Sequence, residues 1–234
     1  MRRIKVALMS DPMDNRKGKG TALYTRKLIE NLLKNERLEI TLVHYSIVPD
    51  PIYGKVREII IPQTPRLPFG TRFVRTMLFF WKYRNERFDI IHWFQPRLYP
   101  FFWLAPARHI VVTAHGAGDI TAPGQFPLSR HIYNFLMIHF SHRIDAIIGV
   151  SEFGREEIVE YYRAHVERVH AIYNGGGEDF KQLDKQTSQR FAQERYGVRR
   201  PFILDVSRLE PHKNVDTLIS AYEILRHNSS ISHS

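Results

Sequence analysis

Short apolar segments alternate with helical patterns along most of this chain, and that alternation limits the fold more than any other feature. Ile4 to Met9 and Leu38 to Tyr45 read as strands, and between them Ala22, Leu28, Ile29, Leu32 and Leu33 share one face of a helix from about Gly20 to Lys34. Further strands are expected at Val56 to Ile61, Asp89 to Trp93, Ile110 to Ala114, Ala146 to Val150 and Val169 to Ile172. Helices are expected at Thr71 to Arg84, Leu128 to Ser141 and Glu152 to Arg163. Apolar strands separated by helices belong in a mostly parallel sheet covered on both faces. The expected fold class is therefore α/β and doubly wound, with ligands at the carboxyl ends of the strands.

The organisation changes at Asn174-Gly175-Gly176-Gly177, where three glycines permit backbone angles that other residues resist. The expected division is a first domain over 1–177, a linker over 178–200 and the beginning of a second domain over 201–234. That last piece offers one strand from Phe202 and one helix from Val215 to Leu225, too little to bury both apolar faces. We expect its remainder to be missing or to come from another chain. A hydrophobic content of 43% excludes a disordered chain, and the lack of cysteine excludes thiolate chemistry. No apolar run reaches the length of a spanning helix and Met1-Arg2-Arg3-Ile4-Lys5 does not open a signal peptide, so a cytoplasmic location is expected. The net charge of +10 implies an anionic partner without choosing among phosphorylated small molecules, lipid head groups and nucleic acid.

The chemistry-bearing residues cluster at strand ends. Phe202-Ile-Leu-Asp-Val-Ser-Arg-Leu-Glu-Pro-His-Lys-Asn214 places Arg208 and Lys213 between a strand and a helix start, a layout suited to gripping phosphate. Gly18 and Gly20 stand at the first strand-to-helix turn, where backbone can approach a ligand or simply form a flexible loop. His115 ends the strand Val111-Val-Thr-Ala114, and Ser151 precedes Glu152 as a helix N-cap. On the helix from Thr71, Phe73, Met77, Phe80 and Trp81 are expected on one face, with Arg72, Arg75 and Lys82 at its rim. That helix reads either as sheet-packed or as interfacial, facing anionic lipid.

Asp89-Ile-Ile-His92, Thr113-x-His115, Asn174-Gly175 and Ser207-Arg208-Leu209 with Lys213-Asn214, collinear along the chain, resemble the retaining family-four GT-B glycosyltransferases. The resemblance implies a Rossmann-like GT-B fold with a truncated second domain. It implies transfer of a sugar from a nucleoside-diphosphate sugar to an acceptor hydroxyl with retention, without metal or covalent cofactor. Arg208 and Lys213 would hold the donor diphosphate, and His115 the transferred sugar. Gly18, Gly20, Ser151 and Asn174 would line the donor and acceptor cleft, and His92 is read as mainly structural, with an acceptor-side role as its alternative. A glycan or lipid-linked acceptor is implied, with attachment to the inner face of a membrane left open. The family's Glu-x7-Glu element is expected far beyond the Arg208-Lys213 motif and is not reached here, and Gly176-Gly177 replaces its usual Val-Asp, so poor activity of these residues alone is expected. Two alternatives stand beside this: a half-enzyme needing a partner chain for the donor domain, and a basic nucleic-acid-binding protein. No recognised nucleic-acid module is present, so nucleic acid is not the expected partner.

Overall fold

The computed structural model describes residues 2–14, 20–61, 71–117, 120, 128–175, 181–198, 202–207, 209 and 213–228. The chain divides into two units, Met1–Asn174 and Gly175–Ser234. The first holds β1 (Ile4–Met9), α1 (Gly20–Leu32), β2 (Leu38–His44), β3 (Arg57–Ile60), α2 (Thr71–Lys82), β4 (Phe88–Trp93), β5 (Ala107–Ala114), α3 (Leu128–Phe140), β6 (Ala146–Gly149), α4 (Glu152–Tyr161) and β7 (Val169–Ala171).

These strands form one sheet in the order β3-β2-β1-β4-β5-β6-β7, and every pairing is parallel. The doubly wound α/β expectation is thereby met. Alternation along β1 sends Val6 and Leu8 into one core and Ala7 and Met9 into the other. The first core packs Ile29 of α1 beneath Ile40 and Leu42, and the second packs Phe79, Phe80, Leu136, Met137 and Ile158 of α2, α3 and α4 on the opposite face. Strand order reverses between β1 and β4, which opens a crevice at their carboxyl ends.

Carboxylates fix neighbouring strands at the other edge. Asp89 Oδ2 accepts the Lys5 backbone N–H at 2.9 Å and Asp145 Oδ2 accepts that of Ile110 at 2.8 Å, so β1 meets β4 and β5 meets β6 in defined register. At Gly149 a Cβ would lie 2.9 Å from Arg155 N, so only glycine lets β6 run this close to the first turn of α4.

The rotation of α2 differs from expectation. Trp81 is 67% exposed, whereas Arg75 is only 7% exposed. Arg75 turns inward because its guanidinium meets two carbonyls at strand ends: Nη2 donates to Tyr45 O at 2.9 Å and also to Ile61 O. Burying that cation is tolerated because it is hydrogen-bonded, and the turn it imposes carries Trp81 outward.

The second unit contains α5 (Lys185–Tyr196) and α6 (Val215–Asn228). Asp184 caps α5 by accepting the Thr187 N–H at 2.9 Å, and Gly197 ends it at φ 71°. The strand expected from Phe202 does not form over 202–206, and Val206 is 86% exposed. A strand exists through ladder bonds to a neighbour, and no other strand is present among the described residues of this unit.

Candidate functional site

The candidate site of the first unit lies where β4, β5 and β6 end. His115 follows β5 and opens to solvent on one side. On its other side the Tyr24 ring of α1 meets it edge-on, with centroids 5.0 Å apart at 88°. Desolvation lowers the His115 pKa, outweighing a hydrogen bond with the Phe94 backbone that favours protonation. A neutral imidazole suits a hydrogen-bonding role toward a polar ligand.

Beneath it runs a polar chain. Thr113 is fully buried, its Oγ1 lies 2.9 Å from His92 Nε2 and 3.5 Å from the Tyr24 hydroxyl. Burial lowers the His92 pKa to about 4, so its ring is neutral at physiological pH. A tautomer with Nε2 unprotonated lets Tyr24 donate to Thr113 and Thr113 to His92. His92 is thus a buried neutral ring held through Thr113 beneath His115.

Gly116 and Gly154 let the loop after β5 approach the first turn of α4. Gly116 has φ +104°, and a Cβ on Gly154 would lie 3.9 Å from Gly116 Cα. Glu157 Oε2 of α4 accepts the Ala117 N–H at 3.1 Å and so holds the loop after β5. Ser151 caps α4, its Oγ accepting the Gly154 N–H at 3.0 Å while its own hydroxyl hydrogen is left to give.

Gly116, the residue after His115, thus lies beside Gly154, whose N–H Ser151 accepts, and Gly20 opens the helix that carries Tyr24. A Cβ at Gly20 would meet nothing within 4 Å. Asn174 lies exposed beyond β7, at the end of the first unit. Lys213 is exposed just before α6 in the second unit. Gly18 and Arg208 lie outside the described residues. Tyr24 escaped the sequence reading because nothing in its spacing separates it from the other aromatic residues on helices. Among the described residues no cluster of His, Asp or Glu is arranged to hold a metal ion, and no helix is long and apolar enough to cross a membrane.

Residues 18–175 match the family described as Glycosyltransferase Family 4. A stretch of 100 residues, 42% of the chain, is 32% identical to the serotype-specific mannosyltransferase WbdA of Escherichia coli, of which it covers 12%. The structure of HepE from Anabaena in complex with UDP and glucose superposes with a TM-score of 0.62 at 16% identity, over 94% of this chain and 57% of that one. A glycosyltransferase from Rickettsia africae gives 0.61 at 16% identity, over 97% and 59%. WaaG, a glycosyltransferase involved in lipopolysaccharide biosynthesis, gives 0.59 at 13% identity, over 96% and 61%. At these identities the structural likeness is one of fold. The chain spans 12% of the curated relatives' length and less than two thirds of each of these structures.

Proposed function

Because the chain belongs to Glycosyltransferase Family 4, we propose that it transfers a sugar from a nucleoside-diphosphate sugar to an acceptor hydroxyl, with retention at the anomeric carbon. The family match over residues 18–175 carries this reading, since it includes the β5 end with His115 and the β6 end with Ser151. The HepE complexes with UDP and with UDP-glucose support a nucleotide-sugar donor. The mannosyltransferase relative makes GDP-mannose a second donor to try.

In this reading His115 donates or accepts a hydrogen bond on the transferred sugar while neutral, held by Tyr24 and the chain beneath it. Ser151 offers its remaining hydroxyl hydrogen to the ligand, and Gly18, Gly20 and Asn174 border the cleft. Arg208 and Lys213 of the second unit stabilise the charge that develops on the departing diphosphate. Positioning and electrostatics suffice, so no metal or covalent cofactor is required. The acceptor is a glycan or lipid-linked saccharide, and the chain works in the cytoplasm, with the exposed Trp81 and Leu78 of α2 meeting an anionic membrane.

A second reading rests on the second unit, where Leu204, Val206, Leu209, Ile219, Ile224 and Leu225 are all exposed. Such a surface favours cover by further polypeptide that completes a donor domain. The test is to incubate the purified chain with UDP-glucose or GDP-mannose and a mixed glycan acceptor, and to measure nucleoside-diphosphate release. Acceptor-dependent release supports glycosyl transfer by the chain itself. Release only on adding a second polypeptide supports the half-enzyme, and release under neither condition counts against both.

A further inference from the structure

Asp11 stands two residues past the end of β1 and begins the tight turn Asp11–Asp14. Its neighbour Asp14 is fully engaged, lying 2.8 Å from His44 Nδ1 and accepting the Tyr45 N–H at 3.0 Å. The Asp11 carboxyl is half-buried and makes no side-chain hydrogen bond or ion pair with another described residue. A carboxylate drawn partly out of water with no side-chain hydrogen bond to another described residue is costly to keep unless something else uses it.

The groups around Asp11 indicate what that is. Arg72, at the start of α2, and Arg97, after β4, both attract it, and both are exposed. Arg72 lies over the Tyr45 ring at 5.2 Å and also interacts with Tyr99. Tyr99 continues an aromatic wall: its ring is 6.4 Å from Phe73 and 6.0 Å from Tyr133. All three of these rings are half-buried, so each keeps some surface open. An acceptor carboxylate, a guanidinium fork and an aromatic wall together match the hydroxyls and apolar C–H faces of a sugar ring. A simple anion matches less well, because Asp11 and Asp14 would oppose it.

We propose that Asp11, Arg72 and the wall of Phe73, Tyr99 and Tyr133 form a saccharide subsite in which Asp11 accepts hydrogen bonds from a pair of sugar hydroxyls. Under the glycosyl-transfer reading, on which this assignment of role rests, the bound saccharide is the acceptor. The site lies at the carboxyl end of β1, the strand at the switch point of the sheet.

The test is saturation-transfer difference NMR on the full chain near neutral pH, with the methyl glycosides of mannose, glucose, galactose and N-acetylglucosamine as probes. Saturation transfer to at least one glycoside is expected, with Asp11→Asn and Arg72→Gln each weakening binding about fivefold or more. Both variants are checked for retained thermal unfolding, and Tyr99→Leu serves as a third where either fails to fold. Unchanged binding in the folded variants, or no signal from any glycoside, overturns the subsite. Nucleoside-diphosphate release from the donor sugars is followed separately on the wild-type chain. Its absence beside intact saccharide binding would sink the transfer reading and leave the subsite standing.

Discussion

The Thr113 hydroxyl lies 2.9 Å from His92 Nε2, and through that one atom a buried neutral imidazole is tied to the helix residue that braces His115. Thr113→Val keeps the shape and removes the hydroxyl, leaving His92 without this partner. We expect a loss of about 1–3 kcal/mol in urea unfolding, against a smaller loss for Thr113→Ser. Equal losses in the two variants would mean the hydroxyl is not what matters. His92 also sets a pH signature, because its folded pKa, about 4, lies below that of the unfolded ring. The unfolded chain takes up the proton first, so this histidine's contribution fades as pH falls from about 6.5 toward 4. His92→Asn should flatten that acid-side decline.

His44 carries the opposite sign. Its ring stacks on Tyr53 with centroids 4.2 Å apart, and its two nitrogens lie 2.8 Å from Asp14 Oδ1 and 2.8 Å from Glu58 Oε1. A neutral imidazole can donate to only one of them, so the imidazolium is favoured. Burial opposes the charge, but the hydrogen bonds and the charges of Asp14 and Glu58 prevail and the pKa is raised. Its stabilisation is full below about pH 6.5 and is lost as pH rises through the raised folded value. His44→Gln should therefore lower Tm more near pH 6 than near pH 9, and a pH-independent difference would exclude the imidazolium bridge.

Gly116→Ala should destabilise the loop after β5 for two separable reasons. The backbone there has φ +104°, and the new Cβ would lie 2.8 Å from Glu157 Oε2. Glu157 can shift, whereas the backbone angle stays unfavourable for any L side chain. The expected cost is about 1–3 kcal/mol, most of it persisting when Gly116→Ala is made in a Glu157→Ala background. Full rescue in that background would assign the cost to the side-chain clash instead.

Lys213→Ala should reduce kcat about 100-fold in the protein that supports transfer, in the range seen when one group that stabilises transition-state charge is lost. Lys213→Arg should recover part of the rate. An unchanged kcat would remove Lys213 from the leaving-group role.

Most strands were legible because each is a short apolar run between polar turns, and all but β5 match the expected limits within a residue or two. β5 starts at Ala107, before the expected Ile110, because Arg108 and His109 look like loop in isolation, yet Ile90 of β4 gives His109 a register partner. His115 and Ser151 were legible as strand-end residues. Arg75 was not, since its burial depends on where β2 and β3 stop and leave the Tyr45 and Ile61 carbonyls free to accept. Asp11, Arg72 and Tyr99 come from three segments, and only the parallel crossover topology brings them to one edge. The run from Phe202 misled because apolar composition alone does not supply a neighbour to pair with.

The clamp between Lys5 and Asp89 joins residues 84 positions apart. During synthesis at roughly 5–20 residues per second, β1 can dock on β2 several seconds before β4 leaves the ribosome. Throughout that interval the inner edge of β1 has no neighbour, so the middle of the finished sheet is for a time an open flank of the nascent chain. The arrival of β4 closes it, and the Asp89 carboxylate fixes where the two strands align when it does.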